Sequence, residues 1–134
     1  MPELAEVEYF RKQWNPGLDQ RIVSVDCHAD KRIFRGVLVE RMRQTLKGSR
    51  LIESNASGKQ MIFRFDSPAW LGIHLGMTGK LSTGDSKTGA GKHDHLILRT
   101  RNTSLIFSDP RLFGRVRYSP GESPPEWWQD LPSD

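Results

Sequence analysis

The sequence predicts a mainly β fold of the α+β class: an antiparallel β-sandwich or flattened barrel with an N-terminal helix and one further short helix. Short runs of aliphatic and aromatic residues recur along the 134-residue chain, and Gly, Asn, Asp or Pro separates them. Only two segments have helical periodicity, and they do not alternate with the strand-like runs. This order favours antiparallel pairing and argues against a parallel sheet built from strand–helix–strand units.

The predicted elements follow one another from the N-terminus. Residues 3–14 are predicted to form a helix, because apolar side chains recur there every three or four positions and Pro16-Gly17 follows. A second helical pattern runs from Val37 to Leu46 and closes at Gly48. Strands are predicted over residues 21–26, 59–65, 69–75, 95–100, 103–108 and 114–118, with a tight hairpin at Arg101-Asn102-Thr103.

Two segments depart from this pattern. Residues 79–92 contain four glycines among polar residues and are predicted to be a mobile polar loop. The tail from Ser119 contains four prolines, and its paired Trp127-Trp128 predicts that it docks onto another surface. The chain has no internal repeat, and its length fits one domain with its own core.

The charge distribution predicts a polyanionic partner. The whole chain carries a net charge of +4, but its last sixteen residues hold four acidic residues and no basic one. Residues 1–118 therefore contain 20 basic and 12 acidic residues and carry a net charge of +8. Nucleic acid is favoured over a membrane surface, because no basic amphipathic helix with a large apolar face accompanies this charge.

Cysteine content and hydropathy predict a reducing compartment. The single cysteine, Cys27, cannot pair within the chain, so neither a disulfide framework nor a cysteine-based zinc site is predicted, and the residue is interpreted as a small strand residue. No run of about 20 apolar residues is present, and the acidic N-terminus differs from a signal peptide. We therefore expect a soluble, monomeric, cytoplasmic protein with no membrane association.

The first residues offer an amine nucleophile. Removal of Met1 would leave a secondary amine at Pro2 beside the carboxylate of Glu3. Because model α-amino groups have a pKa near about 8, much of this amine would be unprotonated at physiological pH, and amines attack carbonyl-like carbons to form Schiff bases. The alternative is structural, because proline suits the first turn of a helix and Glu3 and Glu6 suit its positive end.

Three further segments carry side chains that admit a functional and a structural interpretation. Lys59 lies at the entrance of a predicted strand, where its ammonium projects toward a cleft or is solvated at a strand edge. Met77 lies between glycines at the tip of a predicted turn, as core filler or as an apolar wedge of the kind that separates stacked bases. Residues 109–114 have the Asp-Pro and Gly of an ordinary turn, but such a turn does not require Arg111 and Phe113.

His93-Asp94-His95 also admits two interpretations. Two imidazoles and a carboxylate are good metal ligands, and alternate strand residues point the same way. The sequence places no third protein ligand, however, and the neighbouring Lys92 disfavours a cation. A His93 and Lys92 pair that faces phosphate is preferred, so no metal site and no cofactor are predicted in this chain.

Five motifs are ordered along the chain. They are Met1-Pro2-Glu3-Leu4 with Glu6, Gly58-Lys59, His74 to Gly79, Lys92 to His95, and Asp109 to Gly114. In order and spacing they resemble the N-terminal domain of bacterial formamidopyrimidine-DNA glycosylases, of the Fpg/Nei family. The resemblance covers residues 1–118 and implies that residues 119–134 are the start of an interdomain connector.

The resemblance implies base-excision repair of double-stranded DNA that contains oxidised bases, such as 8-oxoguanine and formamidopyrimidines, or abasic sites. Pro2, freed of Met1, would act as nucleophile of a bifunctional glycosylase and lyase that proceeds through a Schiff base and β- and δ-elimination, with Glu3 as acid and base. Lys59 would bind phosphate beside the lesion and support the elimination. DNA contacts would come from Lys92, His93, Met77, Arg111 and Phe113, the last three filling the void that an everted nucleotide leaves, and Glu6 would support the site.

The sequence departs from the family's pattern in three ways. Ala5 stands where most members have proline, and Leu112 stands where many have a second arginine. Full-length members continue into a helical domain, usually with a four-cysteine zinc finger that holds one structural zinc ion, so a truncated bacterial relative is expected here. A chain that retains Met1 would lack the nucleophile. The alternatives are an endonuclease VIII-like glycosylase for oxidised pyrimidines and a non-catalytic DNA-damage-binding module.

Overall fold

The computed structural model describes residues 4–28, 32–87 and 89–129. Within these ranges the helices are α1 (Leu4–Gln13), α2 (Val39–Leu46) and α3 (Glu126–Gln129), and a 3-10 turn covers Asn15–Gly17. The strands are β1 (Ser24–Cys27), β2 (Leu51–Ser57), β3 (Gln60–Phe65), β4 (Ala69–His74), β5 (Lys80–Asp85), β6 (Asp94–Arg99), β7 (Thr103–Ser108) and β8 (Arg115–Pro120).

The strands of the described residues form two four-stranded sheets. The first sheet has the order β1-β6-β7-β5, and the second has the order β2-β3-β4-β8. Every neighbouring pair of strands is antiparallel. The predicted mainly β, α+β architecture with an antiparallel sandwich is thereby confirmed.

The two sheets enclose one apolar core. Alternate residues of β3 (Met61, Phe63 and Phe65) and of β6 (Leu96 and Leu98) are buried in it, because side chains on a strand point to opposite faces. The segment after α1 completes the core with Trp14. Its ring lies 4.8 Å from the Phe63 ring, centroid to centroid, and its Nε1 donates to the carbonyl oxygen of Ile106 at 3.3 Å.

The prediction omits two strands. Residues 79–92 are not a loop throughout, because β5 occupies Lys80–Asp85 and pairs with β7. This strand lies at the edge of the first sheet and buries only Leu81, so its polar sequence resembles that of a loop. The second omitted strand is β2, which precedes the turn at Gly58-Lys59; this turn connects β2 to β3.

The tail packs back onto the second sheet. Strand β8 continues to Pro120, two residues past the predicted boundary at residue 118. The Trp127 ring lies against Gly72 of β4 so closely that a Cβ atom there would collide with it. Trp70 Nε1 donates to the carbonyl oxygen of Gly121 at 3.0 Å. The surface onto which Trp127 docks is therefore a sheet of the same chain.

Cys27 lies on β1, as the interpretation of it as a strand residue requires. Burial raises the pKa of its thiol to about 12, so the reactive thiolate is scarce at neutral pH. Among the described residues, no helix has both the length and the apolar content that crossing a membrane requires.

Candidate nucleic-acid interface

Three short connections meet at one end of the sandwich, which we call the site end. Strand register pairs Gln60 with His74 and His74 with Arg115, so the turn at Gly58-Lys59 lies on the same side as the end of β4 and the start of β8. In the first sheet, Ser108 pairs with both Lys80 and Asp94. Residues 75–79 (the Met77 turn) and residues 109–114 (the Arg111 turn) cross between the sheets here.

A buried carboxylate joins the two turns. Asp109 is fully buried. Its Oδ1 accepts hydrogen bonds from Thr78 Oγ1 at 2.5 Å and from the backbone N–H of Arg111 at 3.2 Å, and its Oδ2 accepts one from the N–H of Gly114 at 2.7 Å. Hydrogen bonds to a charged acceptor are stronger than neutral ones. Asp109 therefore holds both ends of its own turn and fastens that turn to the Met77 turn.

The backbones of the two turns are also in close contact at Gly76. This residue has φ +65°, a conformation that favours glycine. A Cβ atom at this position would lie 2.6 Å from the carbonyl carbon of Phe113 and 2.7 Å from the backbone nitrogen of Gly114. Glycine is thus required here both by conformation and by space, and its small size sets the distance between the turns.

The two turns present apolar and cationic side chains to solvent. Met77 is 55% exposed and Phe113 is 40% exposed, and the two lie on connected turns. The guanidinium of Arg111 lies 5.1 Å from the centroid of the Phe113 ring, and that of Arg32 lies 5.6 Å from it. Leu112 has φ +61° and packs against the core. Leu112 thus points toward the core, while its two neighbours, Arg111 and Phe113, remain exposed.

His93 and Lys92 lie in the turn before β6, beside the Arg111 turn, and both are exposed. The carbonyl oxygen of His93 accepts from the N–H of Asp109 at 3.0 Å. Both side chains line a groove of about 620 Å³ together with Met77 and Lys80. The groove thus joins Lys92 and His93 to the apolar tip of the Met77 turn.

His93 and His95, whose spacing suggested that both side chains point the same way, differ in their surroundings. His95 is buried, its Nε2 lies 2.8 Å from the carbonyl oxygen of Asp109, and its ring stacks on His28. His93 is exposed, so the two imidazoles do not converge. Within the part of the chain that the structure describes, no group of three or more His, Cys, Asp or Glu side chains is placed to hold a metal ion.

Lys59 lies near a histidine that the sequence analysis does not single out. His74 ends β4, and the N–H of Gly76 donates to its Nδ1 at 3.1 Å. Burial lowers the pKa of His74, and the nearby charges of Arg117, Lys59 and Arg35 lower it further. The ring is therefore neutral at pH 7, with Nδ1 as acceptor and Nε2–H as its donor.

The predicted catalytic residues Pro2 and Glu3 lie outside the described residues. Glu6 is exposed in the first turn of α1. The other end of this helix is fixed to the second sheet, because Nη1 of Arg11 donates to Oγ of Ser54 at 2.9 Å. Arg11 also pairs with Glu8 at 2.7 Å.

The site end thus combines Lys59, the His93 and Lys92 pair and the side chains of the two turns. Sequence reasoning missed His74, Thr78 and Asp109, although all three lie within quoted motifs. In the sequence these three are simply polar residues near turn glycines. The contact between Thr78 and Asp109 joins positions 31 residues apart, so no local pattern predicts it. This fold and this end define a two-sheet β-sandwich domain with a basic surface and exposed apolar side chains at two connected turns.

The chain belongs to the formamidopyrimidine-DNA glycosylase family. The model of the formamidopyrimidine-DNA glycosylase N-terminal domain matches residues 1–116. A formamidopyrimidine-DNA glycosylase of Solibacter usitatus is 36% identical over 119 residues, which are 89% of this chain and 44% of that protein. One of Methylobacillus flagellatus is 35% identical over 127 residues, 94% of this chain and 44% of that protein.

Solved structures agree with the sequence comparison. The Lactococcus lactis formamidopyrimidine-DNA glycosylase, non-covalently bound to DNA containing an AP site, superposes with a TM-score of 0.80 and 28% identity, covering 89% of this chain and 45% of that one. The wild-type enzyme bound to DNA containing N7-benzyl-Fapy-dG gives the same score and identity, with 44% of that chain covered. The chain spans less than half the length of the relatives it matches.

Proposed function

We propose that this chain is the catalytic N-terminal domain of a bacterial, cytoplasmic DNA glycosylase that removes oxidised purines from double-stranded DNA in base-excision repair and cleaves the strand at the abasic site. One observation carries the proposal. The hydrogen bonds of Asp109 hold Met77, Arg111 and Phe113 together at the end of the sandwich that also carries Lys59. Family membership supports the chemistry, and the DNA complexes of the Lactococcus lactis enzyme support the partner.

The proposed chemistry begins at the amine of Pro2 after Met1 is removed. The amine attacks C1′ of the damaged nucleotide, and the bond from C1′ to the base breaks with its electron pair leaving on the base, which takes up the proton that the amine nitrogen loses. Glu3 donates a proton to the ring oxygen, so the sugar opens and C1′ becomes an iminium carbon bonded to Pro2. Glu3, now a carboxylate, accepts a proton from C2′ as the 3′ phosphate is expelled with its bonding electron pair, and a second elimination expels the 5′ phosphate.

The two turns would keep the duplex open during this chemistry. Everting a nucleotide costs a few kcal/mol, and apolar side chains that enter the stack replace part of the lost contact. Met77 and Phe113 are already exposed, so their insertion would remove apolar surface from water. Arg111 carries hydrogen-bond donors that suit the unpaired base opposite the lesion.

The charged side chains of the site end would hold the backbone. Lys59 is a flexible point charge of the kind that binds phosphate, and Lys92 beside His93 supplies a second position for phosphate. The neutral His74 would donate from Nε2. The net charge of +8 on residues 1–118 adds long-range attraction, so affinity should fall as salt rises.

Borohydride trapping on a duplex that contains 8-oxoguanine tests the proposal. The chain freed of Met1 should form a covalent adduct, whereas the chain that retains Met1 should form none. Lys59→Met should reduce trapping, and Lys87→Met is the matched control, because Lys87 follows the end of β5 that lies opposite the site end. Trapping by the Met1-retaining chain would refute the assignment of Pro2.

Two outcomes would replace the proposal with an alternative. Preferential trapping on an oxidised pyrimidine would indicate an endonuclease VIII-like specificity. Selective binding of damaged DNA without any adduct from the processed chain would indicate a damage-binding module.

A further inference from the structure

Three arginines gather on the outer face of the second sheet, beside the site end. Arg115 and Arg117 flank the buried Val116 on β8 and therefore share the face turned away from the core. Arg35 comes from the segment before α2, and its carbonyl oxygen accepts from Nη2 of Arg115 at 3.3 Å. We call these three residues the arginine cluster. Together with Gln60, Gly72, His74 and Phe113 they line a cavity of about 220 Å³.

The cluster has no acidic partner within the described ranges. The ion pairs found there involve Arg11, Arg43, Arg64 and Arg99, and none includes a member of the cluster. Its members instead oppose one another: burial, followed by the charges of Arg117 and Arg35, lowers the pKa of Arg115. Nε of Arg115 is buried with no hydrogen-bond partner. A partly desolvated set of like charges is costly unless an anion is bound.

The cluster is also held in place before any ligand binds. The guanidinium of Arg117 lies 5.4 Å from the centroid of the Trp127 ring. That ring rests on Gly72, where a larger residue would displace it. Because aromatic stacking fixes one arginine and a backbone carbonyl fixes another, less side-chain entropy is lost when a ligand is bound.

We propose that Arg35, Arg115 and Arg117 bind a phosphate group of the DNA backbone, at a position additional to those of Lys59 and His93. Guanidinium groups match phosphate oxygens in a bidentate manner. Phe113 lines the same cavity, so a strand that contacts the exposed turns would pass the cluster. The inference rests on the proposed function only in taking DNA as the partner.

Fluorescence anisotropy with an undamaged duplex tests the subsite. Affinity is measured across a series of salt concentrations for the wild-type chain, for Arg115→Met/Arg117→Met and for Lys87→Met/Arg101→Met. The last variant removes the same charge at the opposite end of the sandwich, where Arg101 lies in the β6–β7 hairpin. Each lost phosphate contact should reduce the slope of log K against log salt by about 0.9, so losing the one proposed phosphate should reduce the slope by about 0.9 in the cluster variant only.

Two further measurements keep the test decisive. Arg35→Met changes an exposed side chain, so it should fold even if the double variant does not, and it should reduce the slope by up to about one. Titration with inorganic phosphate at constant ionic strength should shift the His74 ring signals in the wild type and not in the cluster variant. Both results would support the subsite.

Equal slopes in the cluster variant and its control would overturn the proposal. If inorganic phosphate still bound in that case, the site would belong to a free anion, and if it did not, an acidic protein segment would be the better occupant. Because the duplex is undamaged, failure of this proposal is distinct from failure of the glycosylase proposal, which is read from adduct formation.

Discussion

Replacing Asp109 by asparagine should loosen the connection between the two exposed turns without changing the size of the side chain. The carboxylate accepts three hydrogen bonds, from Thr78, from the N–H of Arg111 and from the N–H of Gly114. Asparagine keeps one oxygen and places an NH2 group where the other oxygen stood. A donor would then face either the Gly114 N–H or the Thr78 hydroxyl.

The structure allows the cost to be worked out. Asp109 is fully buried, so water cannot replace the lost acceptor. Leaving one buried donor unsatisfied costs about 1–3 kcal/mol, and a hydrogen bond to a charged group contributes about 1.5–3 kcal/mol. The hydroxyl of Thr78 can rotate, whereas the N–H of Gly114 cannot. We therefore expect Asp109→Asn to lower the free energy of unfolding by about 2 kcal/mol.

Urea unfolding monitored by circular dichroism measures this loss, with two comparison variants. Asp26→Asn removes an exposed ion pair with Arg99 and should cost at most about 1 kcal/mol. Thr78→Val removes only the link between the turns and should weaken binding of lesion-containing duplex more than binding of undamaged duplex. A free energy for Asp109→Asn within about 0.5 kcal/mol of wild type would refute the reasoning from buried hydrogen bonds.

Two further predictions concern the Met77 turn. NMR titration should give His74 a pKa below 6.5. Between that pKa and about 6.5 the folded state binds fewer protons than the unfolded state, so the free energy of unfolding should fall as pH drops through this range. A pKa of 6.5 or more in the free protein would contradict this prediction. Gly76→Ala should lower the free energy of unfolding by about 2 kcal/mol or more, because its φ is +65° and its Cβ would strike backbone. Gly89→Ala has no atom within 4 Å of its Cβ and should change stability by less than about 0.5 kcal/mol in the same urea assay.

The predictability of the strands depended on how much of each strand is buried. Alternating apolar residues predicted β3 because its core face must be apolar, and the structure confirms that face with Met61, Phe63 and Phe65. Strand β5 could not be predicted in the same way, because Leu81 is its one buried residue. The extended conformation of β5 is stabilised by its pairing with β7. Pairing across a sheet is a property of the partner strand and leaves no local pattern.

The sequence predicted the exposed side chains of the site but not the hydrogen bonds that hold the two turns in place. Glycines around Met77 and the presence of Arg111 and Phe113 in a turn were visible locally, and the structure places all three in solvent. The role of Asp109 was hidden, because an Asp-Pro pair explains a turn without any distant contact. For His93 and His95 the local pattern was misleading instead. Their spacing suggests that the two imidazoles converge, but His95 is buried and His93 is exposed.

Asp109 also connects the exposed turns to the arginine cluster. Its bond to the N–H of Gly114 fixes the residue immediately before Arg115, the first residue of β8. The bond to Thr78 joins the Arg111 turn to the Met77 turn and includes no residue next to Arg115. If both assignments hold, Asp109→Asn should reduce the salt dependence of binding to undamaged duplex as well as lesion preference, whereas Thr78→Val should reduce lesion preference alone. The two variants would thereby separate wedge placement from phosphate binding, although one carboxylate positions both.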